Sequence, residues 1–283
     1  MTKRKRADVT LVTTGRIIRD IGATAAFNVI QIEHAEAIVA GAQRVNLPVV
    51  LQISENAAKY HGSLAPLALA TRAIAENATV NVAMHLDHAE SESLVAEAVE
   101  LGFSSVMFDG AQLAYSDNID RTAEVARRAK AHGVWVEAEL GEIGGKDGAH
   151  APGVRTNVSD AVDFVARTGV DGLAVAVGSS HAMTTRSASL DFDLIGELRA
   201  SLDVPLVLHG SSGVSDADIV LAVRSGMRKV NISTHLNGIF TSAIRQTLDA
   251  SPELVDPRKY LGPARDAAAA EVARLITLIS AQP

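Results

Sequence analysis

No cysteine occurs among the 283 residues. Disulfides and thiolate metal sites are therefore excluded, and any metal must be held by His, Asp or Glu. Aromatic residues make up only 4%, so the core must be aliphatic. Basic charge is not in excess: the formal net charge is −7. A nucleic-acid backbone needs a basic face, so no nucleic-acid partner is expected. The one basic run, Lys3-Arg4-Lys5-Arg6, reads as a short solvated tail. No apolar run reaches the ~20 residues of a membrane span, and no signal-type hydrophobic stretch follows the basic start. The expectation is a cytoplasmic protein with no membrane partner. Gly-x-Gly-x-x-Gly is also absent, which removes the dinucleotide-binding fingerprint.

Hydrophobic residues at 47% and charged residues at 21% give the balance of a soluble globular protein. Eight short apolar runs recur, at 23–28, 48–54, 80–86, 104–109, 134–139, 172–177, 205–209 and 228–232. Between them lie amphipathic stretches. Ile32, Ala35, Ile38, Val39 and Ala42 fall on one face of a helix. Asp191 and Asp193 open another helix, where its N-terminus favours acidic groups. Residues 215–225 and 234–248 read as helices, and an Ala-rich helix occupies 263–283, reaching about Ser280. Residues 1–20 read as a tail with a short helix. Strands that are apolar almost throughout are buried on both faces. Eight βα units therefore predict an α/β fold, a single (β/α)8 TIM barrel domain spanning 1–283; such a barrel usually needs ~250 residues. A doubly wound open sheet is the alternative, disfavoured by the missing Gly-rich first turn.

Barrel active sites form at the C-terminal ends of the strands. Those ends carry His85-Leu86-Asp87-His88, Asp109, Glu137-Ala138-Glu139, Gly178-Ser179-Ser180-His181, His209-Gly210-Ser211-Ser212-Gly213 and Asn231-Ile232-Ser233-Thr234. A single His there is usually a hydrogen-bonded rim residue, and a single Asp usually a helix cap. Histidines on the third, sixth and seventh strands, with carboxylates on the third, fourth and fifth, are harder to dismiss. Three neutral imidazoles with one open position make a catalytic zinc site, and zinc there acts as a Lewis acid. His85 and His88 stand at odd spacing and should face opposite sides of a regular strand. A bend at the strand end would change that, so either could be the ligand.

Gly210-Ser211-Ser212-Gly213 offers free backbone N–H groups and hydroxyls, and Asn231-Ile232-Ser233-Thr234 leads straight into a helix. Phosphate sites of these barrels lie after strands seven and eight, at helix N-termini. Metal beside phosphate points to a phosphorylated substrate with a ketone oxygen on the metal. A carboxylate must then move protons, and Asp87 is the first choice. No Lys stands at a strand end: Lys146 lies in a loop and Lys229 inside the eighth strand, which argues against a Schiff base.

These motifs identify a resemblance to the class II fructose- and tagatose-bisphosphate aldolases, extending from about Ala26-Phe27-Asn28 to Asp256-Pro257-Arg258-Lys259-Tyr260. It is carried by His85-Leu86-Asp87-His88, Val136 to Gly141, Val207 to Gly213 and Lys229-Val230-Asn231. The resemblance implies that His88, His181 and His209 hold a catalytic Zn2+. It implies that Asp87 protonates the aldehyde oxygen in condensation and takes the hydroxyl proton in cleavage. Asp109 and Glu139 match positions for an alternative or second divalent metal. Gly210, Ser211, Ser212 and Asn231, Ile232, Ser233 and Thr234 match the dihydroxyacetone-phosphate site, and a monovalent cation near the phosphate is common in the family. Asn28 and Ser54 match substrate contacts, and Arg258 an Arg that reaches the distal phosphate from a neighbouring subunit. That arrangement implies a homodimer or homotetramer.

The sequence departs from the family in two places. Ala182 stands where Gly usually follows the sixth-strand His. The loop after the fifth strand reads Gly144-Gly145-Lys146-Asp147-Gly148-Ala149-His150, without the Glu that relatives use as a base. Asp147 or His150 could replace it, or the substrate could differ. The turn after strand eight has Ser233 where some fructose enzymes carry Asp, which is nearer the tagatose type. The expected activity is reversible cleavage of a ketose 1,6-bisphosphate to dihydroxyacetone phosphate and an aldehyde such as glyceraldehyde 3-phosphate. The alternatives are another ketose phosphate, a metal-dependent hydrolase, or a non-catalytic phosphosugar-binding protein.

Overall fold

The computed structural model describes residues 11–140, 154–180, 186 and 188–281. Eight strands, β1 (Thr24–Asn28), β2 (Val49–Ser54), β3 (Val82–Ala89), β4 (Ser105–Phe108), β5 (Trp135–Leu140), β6 (Gly172–Val175), β7 (Leu206–Leu208) and β8 (Met227–Ile232), form a closed barrel in chain order. Each pairs parallel with the next, and β8 pairs with β1. Closure overturns the open-sheet alternative.

The helices are α1 (Thr14–Ile21), α2 (Ile32–Val45), α3 (Glu55–His61), α4 (Ala65–Glu76), α5 (Glu92–Glu100), α6 (Tyr115–Lys130), α7 (Val158–Thr168), α8 (Phe192–Ser201), α9 (Asp216–Ser225), α10 (Thr234–Ala250) and α11 (Pro257–Ser280). Caps fix many of the starts. Asp191, expected at a helix N-terminus, accepts from the Leu194 N–H at 3.0 Å and opens α8. The last helix begins earlier than expected. Asp256 caps it, Pro257 fills its first turn, and it runs on through Pro263. Proline suits a first turn because its missing N–H would be unpaired there anyway; Pro263 instead forgoes an interior bond, which is why the sequence alone suggested a start at 263.

Period-two alternation divides each strand between two environments. Phe27, Leu51, Leu86, Phe108, Val136 and Val230 point outward and pack with the helices in one large buried cluster. Ala26, Val50 and Ala83 point inward and meet Ile17 of α1 in a separate small cluster. So α1, the short helix expected near the start, closes the floor of the barrel. Its approach is tight: a Cβ on Gly15 would lie 2.6 Å from the Trp135 ring.

Above that floor the inward positions turn polar. Gln52 and His85 are register partners across β2 and β3, as are Ser54 and Asp87 one tier higher. Glu137 and Lys229 share the middle tier, each wholly buried. The upper tier opens at the C-terminal ends.

Candidate active site

Strand β3 sets the centre. Between Leu86 and Ala89 its register with β4 slips, and His88 takes a φ of 47°, a left-handed conformation rare outside glycine. The bulge re-aims the chain so that adjacent residues Asp87 and His88 both reach the barrel mouth. Of the two histidines, His85 lies a tier below, and His88 faces the rim. Burial pushes His85 down to about 3, with the Lys229 charge acting in the same direction, so it stays neutral.

Asp87 is fixed by two amides. The Asn28 side chain donates to Oδ2 at 2.9 Å and the Asn231 side chain to Oδ1 at 3.4 Å. Gln52 in turn donates to Asn28 Oδ1 at 2.8 Å. Burial works to raise the Asp87 carboxyl, but the charges of His88, Lys229 and His209 hold it below its ordinary value. It is therefore a carboxylate at neutral pH, ready to accept a proton.

Two overlapping groups could hold a cation: Asp87, His88 and His209, and His88, Asp109 and Glu139, each with ligand atoms within 4.8 Å of one another. His88 Nδ1 lies 2.7 Å from Asp109 Oδ2 and 3.6 Å from Glu139 Oε2. His209 Nδ1 lies 3.3 Å from Glu139 Oε2. Burial works against the charged form of His209, yet the Glu137 and Glu139 carboxylates more than reverse this, lifting it to about 9. His88 is likewise raised against the effect of burial, by Asp87 and Asp109. Neither oxygen of the wholly buried Glu139 carboxylate makes a well-formed hydrogen bond among the described residues. A buried carboxylate is costly without a donor or cation. Imidazole nitrogen and carboxylate oxygen are also the donors zinc takes in a protein without thiols. The residues present fit a divalent metal. His181, the third expected ligand, lies outside the described residues, as do Ala182, Lys146, Asp147 and His150.

Beside this centre is a cavity of about 180 Å³, lined by Asn28, Gln52, Ser54, Asn56, Asp87, His88, Gly210, Ser211, Ser212, Asn231, Ser233 and Thr234. Gly210 has a φ of 65° and begins a 3₁₀ turn, Ser211–Gly213. A Cβ on it would lie 2.6 Å from the Ser180 carbonyl oxygen. The Ser212 hydroxyl accepts from the His235 N–H in the first turn of α10 at 3.1 Å. The Ser233 side chain makes no capping bond to α10 and lines the cavity instead. Ser54 does both, lining the cavity while its hydroxyl accepts from Ala57 N–H to cap α3.

Two expected substrate positions fall elsewhere. The Ile232 side chain is 2% exposed and packs in the outer barrel–helix layer, because alternation along β8 turns it away from its neighbour Asn231. Its side chain is therefore corrected out of the substrate site. Arg258 is exposed on the first turn of α11, with Nη2 2.9 Å from Asp256, and is not among the cavity-lining residues of its own chain. Gln52, Asn56 and Glu137 were given no role from the sequence. Counting back two residues from Ser54 and Glu139 would have shown that Gln52 and Glu137 share their inward face.

A closed eightfold parallel barrel with a carboxylate, two imidazoles and a Gly/Ser turn gathered at the C-terminal ends of its strands has the arrangement of a barrel enzyme's active site. The sequence profile of the family described as "Fructose-bisphosphate aldolase class-II" matches residues 19–282. A protein named "Probable fructose-bisphosphate aldolase" from Bacillus subtilis (strain 168) is 40% identical over 245 residues, covering 85% of this chain and 86% of its own. The fructose-bisphosphate aldolase of Geobacillus stearothermophilus is 38% identical over 250 residues, covering 87% of each. The crystal structure of the YdjI aldolase from Escherichia coli K12 superposes with a TM-score of 0.85 at 30% identity, over 95% of this chain and 97% of that one. The chain belongs to the class II fructose-bisphosphate aldolase family, and it is an aldolase.

Proposed function

We propose that this aldolase is zinc-dependent and reversibly cleaves a ketose 1,6-bisphosphate, of fructose or tagatose type, to dihydroxyacetone phosphate and an aldehyde. The supporting observation is the placement of the Asp87 carboxylate, held by Asn28 and Asn231, between the His88/His209 pair and the Gly210-to-Ser212 cradle. His88, His209 and His181 are the proposed zinc ligands, with Asp109 and Glu139 serving an alternative or second divalent ion. A zinc ion there supplies Lewis-acid polarisation of a carbonyl oxygen.

The chain's own residues supply the rest. The N–H groups and hydroxyls of Gly210, Ser211, Ser212, Ser233 and Thr234 hold the phosphoryl end, helped by the positive end of the α10 dipole. A monovalent cation beside that phosphoryl group is part of the proposal. Asn28 and Ser54 contact the sugar. Ionised Asp87 takes the hydroxyl proton from the carbon whose bond breaks, and returns it to the aldehyde oxygen in condensation. Asn28 and Asn231 keep that carboxylate aimed, so little reorganisation accompanies the transfer. Arg258 is proposed to reach the distal phosphate of a neighbouring subunit in a homodimer or homotetramer.

The test is cleavage of fructose and tagatose 1,6-bisphosphates by zinc-loaded protein, together with proton exchange at C1 of dihydroxyacetone phosphate. Triose phosphate from either sugar supports the reading and identifies the epimer. Exchange without cleavage of either would mean a different aldehyde partner. Absence of both would refute it.

A further inference from the structure

Three charged or ionisable groups lie one tier below the proposed zinc site and take no part in the chemistry above. Each stands two residues before a rim residue on its strand: His85 before Asp87, Glu137 before Glu139, Lys229 before Asn231. Strand alternation points all three into the barrel, where all are wholly buried. Lys229 Nζ donates to Glu137 Oε2 at 2.9 Å and lies 3.4 Å from His85 Nε2. The other oxygen of Glu137, Oε1, lies 3.0 Å from His209 Nε2.

Stability alone is a weak reason for such a pair. A buried ion pair often contributes no more than apolar residues of the same volume would. Its geometry suggests another role. With Lys229 bonded to one oxygen and pairing its charge, Glu137 can only accept at the other. His209 must then carry its proton on Nε2, which leaves Nδ1 on the rim side, 3.3 Å from Glu139. A neutral imidazole ligates metal through one nitrogen, and the partner of the other nitrogen decides which.

We infer that Lys229 and Glu137 form a buried positioning pair that holds the proton of His209 on Nε2 and so presents Nδ1 to the metal. The inference rests on His209 being a zinc ligand, as proposed above. Glu137→Gln keeps the shape but reverses the constraint, because Lys229 holds the amide oxygen and the amide NH2 then faces His209 Nε2. Lys229→Met removes the cation that commits Glu137 to accepting.

The test is zinc affinity by chelator competition, for the wild type, Glu137→Gln, Lys229→Met and the double variant, alongside the melting temperature of each metal-free protein. We expect each single change to weaken zinc by about 10- to 100-fold, the range seen when the hydrogen-bond partner of a metal-bound histidine is lost. The double variant should be little weaker than Glu137→Gln, since both changes act through one hydrogen bond. In zinc-loaded wild type, the His209 Nε2 proton should give a protected ¹H–¹⁵N signal that Glu137→Gln loses. Should Lys229→Met fail to fold, Glu137→Gln and the proton signal still decide the matter. Lower melting temperatures with zinc affinity unchanged within twofold would mean that the pair is packing only, and would overturn the inference while leaving the zinc proposal standing. A wild type that binds no zinc would overturn both.

Discussion

The floor and the mouth of this barrel are built by the same eight strands and face the same interior, yet they differ in nearly every physical respect. At the floor, Ile17 of α1 meets Ala26, Val50 and Ala83, and Gly15 admits the Trp135 ring. Apolar contact dominates there, with the Thr14 N–H donating to Ser105 Oγ at 2.8 Å, and among the described residues no ion pair ties α1 to the strands. At the mouth, Asp87, Asp109, Glu139 and His209 are almost as deeply buried, but each needs a partner of the right charge at the right distance. Burial of apolar groups at one end adds stability. Burial of ionisable groups at the other costs stability and yields perturbed acids and bases. The chain thus separates what holds it together from what it does, within one barrel interior.

The sharpest way to probe that separation is at Asp87. Asp87→Ala should lower the rate of retro-aldol cleavage by about 10³-fold, the middle of the range for a general acid–base group. Bound zinc and the melting temperature should stay near wild-type values, because the lost carboxylate is not part of the packing at the floor. Retention of more than a tenth of the activity would remove Asp87 from the proton-transfer role.

The second effect concerns pH and is confined to the mouth. The Glu137 and Glu139 carboxylates, acting against burial, raise His209 from 6.5 to about 9 in the metal-free protein. A metal must displace that proton. Zinc affinity should therefore climb with pH up to about 9, by roughly tenfold per unit where one proton is released, and level off above. Without metal the sign for folding is opposite. A raised histidine stabilises the fold fully below pH 6.5, and that contribution is lost as pH rises through about 9. A zinc titration that is flat across this interval would show that His209 is not the residue displaced.

The outer layer was legible from sequence because it obeys one simple rule: Phe27, Leu51, Leu86 and Val136 alternate, are apolar, and sit in short runs between helical patterns. The upper rim was legible because polar residues at strand ends are conspicuous against such runs. The middle tier was not. His85 and Glu137 read as strand-end residues beside Asp87 and Glu139, Gln52 and Lys229 as polar interruptions in apolar strands, and only barrel closure reveals that they converge one tier down. His88 was ambiguous for a different reason. Its orientation depends on a bulge and a φ of 47°, and nothing in the sequence His-Leu-Asp-His specifies a bulge. Ile232 was placed in the substrate site because it stands between Asn231 and Ser233, although alternation alone would have turned its side chain outward.

Substitution at the floor should have the complementary outcome to Asp87→Ala. Ile17→Ala removes most of a side chain that is 1% exposed and leaves a cavity that α1 can only partly close. We expect a loss of about 2–4 kcal/mol by chemical denaturation. Turnover per folded molecule at 25 °C should be unchanged. A parallel fall in turnover would mean that the floor and mouth are mechanically coupled, and that the two-part description of the barrel fails.

The smallest expected effect tests the cradle, where conformation rather than charge is at stake. Gly210 has a φ of 65°, and a Cβ there would lie 2.6 Å from the Ser180 carbonyl oxygen. Alanine tolerates that backbone region poorly, at a cost of roughly 1–2 kcal/mol, and the close carbonyl is main chain that cannot rotate aside. Gly210→Ala should relieve both strains by shifting the 3₁₀ turn that carries Ser211 and Ser212. Their N–H groups would then meet the phosphoryl oxygens less well. KM for the bisphosphate should rise about tenfold, equivalent to ~1.4 kcal/mol, while kcat falls less than threefold, since Asp87 is held from β1 and β8 rather than from this turn. Inhibition by inorganic phosphate should weaken by a similar factor. A kcat effect larger than the KM effect would show that the turn positions the reacting atoms as well as the anion, and that the division between binding and chemistry at the mouth is drawn in the wrong place.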